Sequence, residues 1–313
     1  MDTLDAASTR TLVRHGFGID LSELAPVTGG LDPRARVWCA TDDSGAVWSV
    51  KATRRDGRFG LALAAELGDA GASGVAAPRR AVDGRPWSEA DGLLVSLAPW
   101  IPGEDAVDAD ADALSWEEFG GVLRSIHDAE PPAGAVPIRR GIRREHRPPA
   151  ELIAEVDEHP AGRSPLWREH RERLLTLASA ERRLKRDRTA TSRVPVHGDP
   201  HPGNIVIDEA RRPWLIDFDE STVAPREVDL LLVELGVIVA RPITDAQRRA
   251  FRSGYGETLI DDERIARFGC VRAVEDVTAA FLAPAGPHDL AGQLGPHGLV
   301  SLVETALERL PGA

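Results

Sequence analysis

The sequence predicts an α+β chain in two lobes, a small front lobe on an antiparallel sheet and a larger, mainly helical back lobe. Three observations predict this. Short β-rich runs separated by turn residues fill residues 1–98. A connection with two prolines and a glycine follows, Ala98 to Asp105 (APWIPGED), which puts a hinge at about 96–103. Residues 99–313 then show helical spacing, broken by a single β island from Val194 to Asp219.

The elements follow in order. Val37–Thr41 (VWCAT) reads as a strand, DDSG as a turn and Ala46–Thr53 as its hairpin partner. Gly57–Ala70 is rich in Ala and Leu and reads as a helix. Pro78–Val82 and Leu93–Leu97 read as two further strands joined through DGRP, so the front lobe is β-β-α-β-β. Trp100, just past it, reads as core rather than as a stacking platform. Ser115-Trp-Glu-Glu118 has the form of a capping box, and Phe119, Val122, Leu123 and Ile126 follow at helical spacing. Residues 131–149 are Pro- and Arg-rich and read as irregular. Ser164-Pro165 opens a long charged helix, and more helices are expected at 226–239, 245–256, 262–281 and 297–309.

Composition excludes several classes. A chain of 313 residues with 42% hydrophobic and 28% charged residues can bury its own core. Two cysteines, Cys39 and Cys270, cannot make a disulfide framework, which suits a reducing compartment. The start, MDTLDAASTR, has no signal-peptide pattern, so a cytoplasmic location is expected. The most apolar stretch, Val228–Ala240, is short and interrupted by Asp229 and Glu234, so no membrane span is expected. The net charge of −12 argues against nucleic-acid binding and suits a cationic small substrate. The acids Glu104, Asp105, Asp108, Asp110, Asp112, Glu117 and Glu118 run without a basic residue, either as a solvated face or as a rim for a polycation. Nothing in the sequence specifies an oligomeric state.

The chemistry concentrates in the island, VPVHGDPHPGNIVIDEARRPWLIDFDES. Two apolar runs, 204–207 and 214–217, flank the turn-rich DEARRP and predict a hairpin that pairs 207 with 214 and 204 with 217. Asn204 and Asp217 then meet at one end and supply an amide oxygen and a carboxylate, the donors Mg²⁺ takes when substrate phosphates complete its shell. Asp199, five residues before Asn204, sits in a loop from which it can orient a hydroxyl and accept its proton. Asp and Asn also form turns unaided, but three spacings and two flanking strands agree here. The pattern H-x-D-x-x-x-x-N followed by D-F is that of a kinase catalytic loop and its metal aspartate, with His197 in a packing role. The basic residues are 36 Arg and two Lys, and Lys51 closes a strand, where a compact ammonium would hold phosphates. Glu66 on the following helix is its expected partner, although exposed helix glutamates are common.

With these residues in place, the chain resembles the aminoglycoside phosphotransferase family, which shares the protein-kinase-like fold. The likeness rests on His197-Gly198-Asp199 with Asn204, on Ile216-Asp217-Phe218-Asp219, and on the order lysine, glutamate, hinge, HGD, DFD. Residues 119–127 and 217–234 look most like the spectinomycin phosphotransferase branch. The resemblance implies a two-lobed fold and transfer of phosphate from ATP or GTP to a small-molecule hydroxyl, an aminoglycoside or aminocyclitol. It implies Lys51, Glu66, Ser96 and Ala98 at the nucleotide, Asn204 and Asp217 on Mg²⁺, and Asp199 as the catalytic residue. His201, Asp219, Glu220 and Asp105 are the expected acceptor contacts. Two departures stand out. Only Gly29 and Gly30 begin the loop Gly29–Arg34 before Lys51, and Asp219 replaces the glycine of protein kinases. Rival readings are a kinase of the same fold for another metabolite and a nucleotide-binding module without transfer activity. No long activation segment follows Asp217, which disfavours a protein kinase.

Overall fold

The computed structural model describes residues 6–27, 35–90, 92–110, 112–134, 147–186, 191–238, 241–283 and 290–311. The loop Gly29–Arg34 and most of the Arg-rich stretch after residue 134 lie outside them.

Alternating burial builds the front sheet. In the strand Ala35–Asp42 (β2) Trp38 and Ala40 point inward, and in Val47–Thr53 (β3) Val50 and Ala52 do so. Leu21–Pro26 (β1), Ser88–Ala90 (β4) and Leu93–Pro99 (β5) complete five antiparallel strands in the order β1-β2-β3-β5-β4. A helix at Ala6–Phe17 (α1) lays Val13 and Phe17 on this sheet, against Trp38, Val50 and Leu97. Neither α1 nor β1 is evident in the sequence. The stretch expected as a strand at Pro78–Val82 is not one, and the outer strand is β4. The Pro78 ring has no N–H for a ladder; Arg79 N instead gives one bond to Leu97 O at 2.7 Å and Ala81 N turns to Arg85 O. Trp100 is exposed, not core.

The helix Arg58–Asp69 (α2) buries Phe59, Leu63, Ala64 and Leu67. Its Gly60 rests on the backbone of the other lobe, where an added Cβ would lie 1.8 Å from Phe218 O. After the connection, Gly103–Asp105 (β6) joins Ile205–Asp208 (β8) and Pro213–Leu215 (β9) in a second sheet, order β6-β8-β9.

The back lobe is helical, as expected: Trp116–Asp128 (α3), Pro149–Glu158 (α4), Pro165–Arg186 (α5), Glu227–Leu235 (α6), Asp245–Tyr255 (α7), Asp262–Leu282 (α8), Leu290–Leu294 (α9) and Leu299–Glu308 (α10). Val194–Val196 (β7) pairs with Thr222–Ala224 (β10), and Val237–Ile238 (β11) with Arg241–Pro242 (β12). Ser164 caps α5 by accepting from Trp167 N at 3.1 Å. The expected capping box at Ser115 is not formed, because that side chain makes no cap bond; a capping box closes instead on Thr244 and Gln247 of α7. The helix α8 is buried along most of its length, with Cys270, Val274 and Val277 packed against Trp167 and Leu177 of α5 and Val303 of α10. No helix among the described residues is long and apolar enough to cross a membrane.

Two neighbouring glycines of α3 test the packing. A Cβ at Gly120 would lie 2.1 Å from Phe251 O of α7, whereas one at Gly121 meets only Gly254 O at 4.0 Å. Gly120→Ala should therefore destabilise by roughly 1–3 kcal/mol through overpacking. Gly121→Ala should stabilise by about 0.5–1 kcal/mol, the usual gain in helix propensity. Urea midpoints of the two variants check the opposite signs.

Candidate active site

A buried carboxylate organises the loop 197–204. Asp229, in the first turn of α6, accepts from His197 N at 2.7 Å and Gly198 N at 2.8 Å. The same carboxylate meets His127 Nε2 at 3.0 Å, and the Nδ1 of His127 meets Tyr255 Oη at 2.7 Å. Ser221 Oγ donates to His197 O at 3.1 Å. The ring of His197 is fully buried; Nε2 donates to Ile216 O at 3.0 Å and Nδ1 accepts from Asp199 N at 3.3 Å. Its role is structural, as the sequence suggested. Gly198 has φ +92°, and a Cβ there would lie 2.3 Å from Glu220 O. A side chain such as the arginine of protein kinases has no room at this position.

The hairpin forms, but one residue out of the expected register. Ile205 faces Leu215 and Ile207 faces Pro213, and Ile216 N donates to Asn204 O at 3.0 Å. Asn204 therefore lies opposite Ile216, not Asp217. The turn explains the shift. Asp208 Oδ1 accepts from Ala210 N and Arg212 N, and Arg211 takes φ 64°, a three-residue loop with a left-handed last position. Asp217 follows directly, itself left-handed at φ 59°.

Asp217 meets the front lobe. Lys51 Nζ lies 2.8 Å from Asp217 Oδ1 and 2.9 Å from Asp219 Oδ2. Burial alone would lower the lysine pKa, but the two carboxylates hold it above its ordinary value. Burial would also raise Asp217, and Lys51 outweighs it and keeps that carboxyl low. Asp219 is pushed up by burial and by the charge of Asp217, with Lys51 opposing. Glu66 is not the partner of Lys51. It stands at the edge of the buried stripe of α2 and is exposed. Asp219 takes that place, set against the start of α2 where a Cβ at Gly57 would lie 2.9 Å from its Oδ1. Ser96 pairs with Lys51 across the β3–β5 ladder, and Ala98 with Ser49.

The expected acceptor acids divide. Glu220 is bonded to Arg55, and both side chains are largely buried. Asp219 and Glu220 are thus neutralised from the front lobe instead of lining an open acidic site. Asp105 is exposed on β6, opposite Val206. His201 accepts Gly203 N–H on Nδ1 at 3.0 Å, and its Nε2 lies 3.7 Å from Asp199 Oδ2. Burial, helped by Arg272, lowers its pKa, against the pull of Asp199.

Asp199 itself has a partner that sequence reasoning missed. Arg272 Nη1, from α8, donates to Asp199 Oδ1 at 2.6 Å, and Arg272 Nε donates to both oxygens of Asp276 at 2.8 and 2.9 Å. Burial works against the guanidinium charge, but Asp276 and Asp199 together hold its pKa above the ordinary value. Among 36 arginines nothing local marks this one. Asp229 did carry a signal, an acid inside an apolar helix.

A model of the phosphotransferase enzyme family APH matches residues 23–268. The chain belongs to that family of enzymes. No curated protein sequence matches it. Its fold is similar to spectinomycin phosphotransferase crystallised with ADP and spectinomycin, at TM-score 0.79 and 19% identity over 98% of this chain and 100% of that one. It is also similar to amicoumacin kinase bound to AMP-PNP and Ca²⁺ (TM-score 0.61, 13% identity, 98% and 94% covered). A thermostable mutant of aminoglycoside phosphotransferase APH(4)-Ia, in ternary complex with AMP-PNP and hygromycin B, gives TM-score 0.60 at 12% identity over 97% and 100%.

Removing Asp229 would strand two buried N–H groups and His127. Asp229→Ala should cost roughly 3 kcal/mol or more, since each orphaned buried donor costs about 1–3 kcal/mol. Asp229→Asn, which keeps one acceptor oxygen, should cost less. Equal urea midpoints for Asp229→Ala and wild type would contradict the anchoring role.

Proposed function

We propose that this chain is an ATP-dependent O-phosphotransferase acting on a hydroxyl of a small cationic molecule, an aminoglycoside or aminocyclitol such as spectinomycin. The observation that carries the reading is the meeting of Lys51 and Asp217 at 2.8 Å, 166 residues apart in sequence and from different lobes, beside the loop that bears Asp199. Such a junction suits a nucleotide whose phosphates lie between the lobes. Ser96, across the ladder from Lys51, and Ala98 would border that nucleotide.

The donor set fits a divalent cation. Asn204 Nδ2 donates to Asp199 O at 2.9 Å, which leaves the amide oxygen as its ligand atom, and Asp217 offers a carboxylate. Two protein oxygens completed by phosphate and water oxygens is the arrangement Mg²⁺ favours. When bound there, Mg²⁺ supplies charge neutralisation to the phosphates. Lys51 holds the phosphates as a compact ammonium, with Asp219 fixing its position. Asp199 orients the acceptor hydroxyl and takes its proton.

The cationic acceptor is supported by the acidic chain, by exposed Glu104, Asp105, Asp108 and Asp110 just past the connection, and by the fold shared with spectinomycin phosphotransferase. A second reading, a kinase for a neutral metabolite, is favoured by two facts: Arg272 sets a positive charge at Asp199, and Lys51 and Arg55 neutralise Asp219 and Glu220. An acceptor screen with mass detection of an added phosphoryl group separates them. For the cationic acceptor, KM should rise with ionic strength while KM for ATP changes less. A neutral best acceptor with KM flat in salt would select the second reading.

Two substitutions test the roles. Asp199→Ala should keep nucleotide affinity and lower turnover by roughly 10²–10⁴-fold, the range for a positioned acid or base. Turnover within a few-fold of wild type would remove Asp199 from the role. Lys51→Arg should be nearly as harmful as Lys51→Ala, because a planar fork cannot take the place of an ammonium between Asp217 and Asp219. Wild-type kinetics in Lys51→Arg would refute this.

A further inference from the structure

We infer that Arg272, clamped by Asp276, is a positioning residue that sets the orientation of the Asp199 carboxylate for phosphoryl transfer. This inference rests on the reading of Asp199 given above.

The geometry is specific. One guanidinium spans two carboxylates, with Nη1 on Asp199 Oδ1 at 2.6 Å and Nε on both oxygens of Asp276 at 2.8 and 2.9 Å. Arg272 and Asp276 are one helical turn apart on α8, and all three side chains are largely buried. A planar fork held from behind by a second carboxylate fixes its direction as well as its distance, which a lysine in its place could not do. The backbone of Asp199 is fixed separately, since Asp199 O accepts from Asn204 Nδ2 and Asp199 N donates to His197. Backbone from one side and carboxylate from the other leave the side chain one orientation. That orientation is what transfer asks for. The hydroxyl oxygen attacks the γ-phosphorus and forms the new O–P bond. The bond from that phosphorus to the bridging oxygen breaks, its electron pair leaves with ADP, and the hydroxyl proton passes to the Asp199 carboxylate. A rotated carboxylate would meet the hydroxyl from the wrong side.

The pair also accounts for charge. Arg272 sets its guanidinium charge beside the Asp199 carboxylate from the side of α8 and offsets the negative charge there. Its contacts are to Asp199 and Asp276, so it acts through Asp199.

The test uses the whole protein, ATP with Mg²⁺, and spectinomycin as the acceptor probe, with ATP hydrolysis to water as a second readout that needs no acceptor. Arg272→Gly should lower kcat by roughly 10²-fold, the cost of a small misplacement of a catalytic group. KM for ATP and nucleotide affinity should stay unchanged. Guanidinium at a non-denaturing concentration should restore much of the lost kcat in Arg272→Gly and none in Asp199→Asn. A merely structural arginine would not give that split or that rescue. Asp276→Asn, which loosens the clamp but retains size, should lower kcat several-fold with KM for ATP unchanged, and it decides the matter if Arg272→Gly does not fold. The inference is overturned if either folded variant keeps wild-type kcat, or if kcat and nucleotide affinity fall together without rescue. If Asp199→Asn turns over ATP like wild type, the role of Asp199 itself fails. An inactive Asp199→Asn beside a fully active Arg272→Gly overturns only the part given to Arg272.

Discussion

The structure depends on one buried carboxylate. Asp229 takes the backbone N–H groups of His197 and Gly198, and through its bond to His127 it joins the loop 197–204 to α3 and to Tyr255 of α7. Three helices and the loop that carries Asp199 share this point. A carboxylate at 3% exposure is costly unless it is hydrogen-bonded, and here two backbone donors and a histidine meet it. Once α6 is placed, the position of residues 197 and 198 is fixed with it.

Steric contact does the same work between the lobes. Gly60 of α2 sits on Phe218 O and Gly198 against Glu220 O, each at a distance from backbone that excludes a side chain, and Gly57 lies against the Asp219 carboxylate. The segment 217–220 is therefore wedged between α2 on one side and the loop 197–204 on the other. Its charges follow this placement: Asp217 and Asp219 reach Lys51, and Glu220 reaches Arg55. Lys51 and Asp217 meet because Gly60 and Gly198 let the backbones on either side of residues 217–220 approach. The resulting cluster is nearly balanced in charge, with two cations against three acids, and α8 adds Arg272 against Asp199 and Asp276 on the far side.

Much of this was legible in the chain. The spacing from Asp199 to Asn204 and the two apolar runs around DEARRP predicted the loop and hairpin. Helical periodicity placed α3, α5, α7, α8 and α10 to within a few residues. Lys51 was conspicuous because lysine is rare here. The misses have physical causes. The hairpin register turned on a left-handed Arg211, a conformation that a non-glycine residue does not advertise. Ser115 had the pattern of a cap and no cap bond, and Pro78–Val82 had the composition of a strand and only one backbone bond to β5.

By itself the sequence determined the local order of this protein, its two-lobed plan and the residue types that carry its chemistry. Those are set by periodicity, turn residues and short spacings, interactions that act within a few residues. Tertiary structure alone decided the partners. Whether Lys51 met Glu66 or Asp219 depended on which face of α2 lay on Phe218, and the arginine that reached Asp199 depended on the rotation of α8 among α4, α5, α6 and α10. Ion pairs join side chains distant in sequence, and nothing in a linear pattern distinguishes one acid or one arginine from its neighbours until the packing of the helices has brought them within about 3 Å of each other.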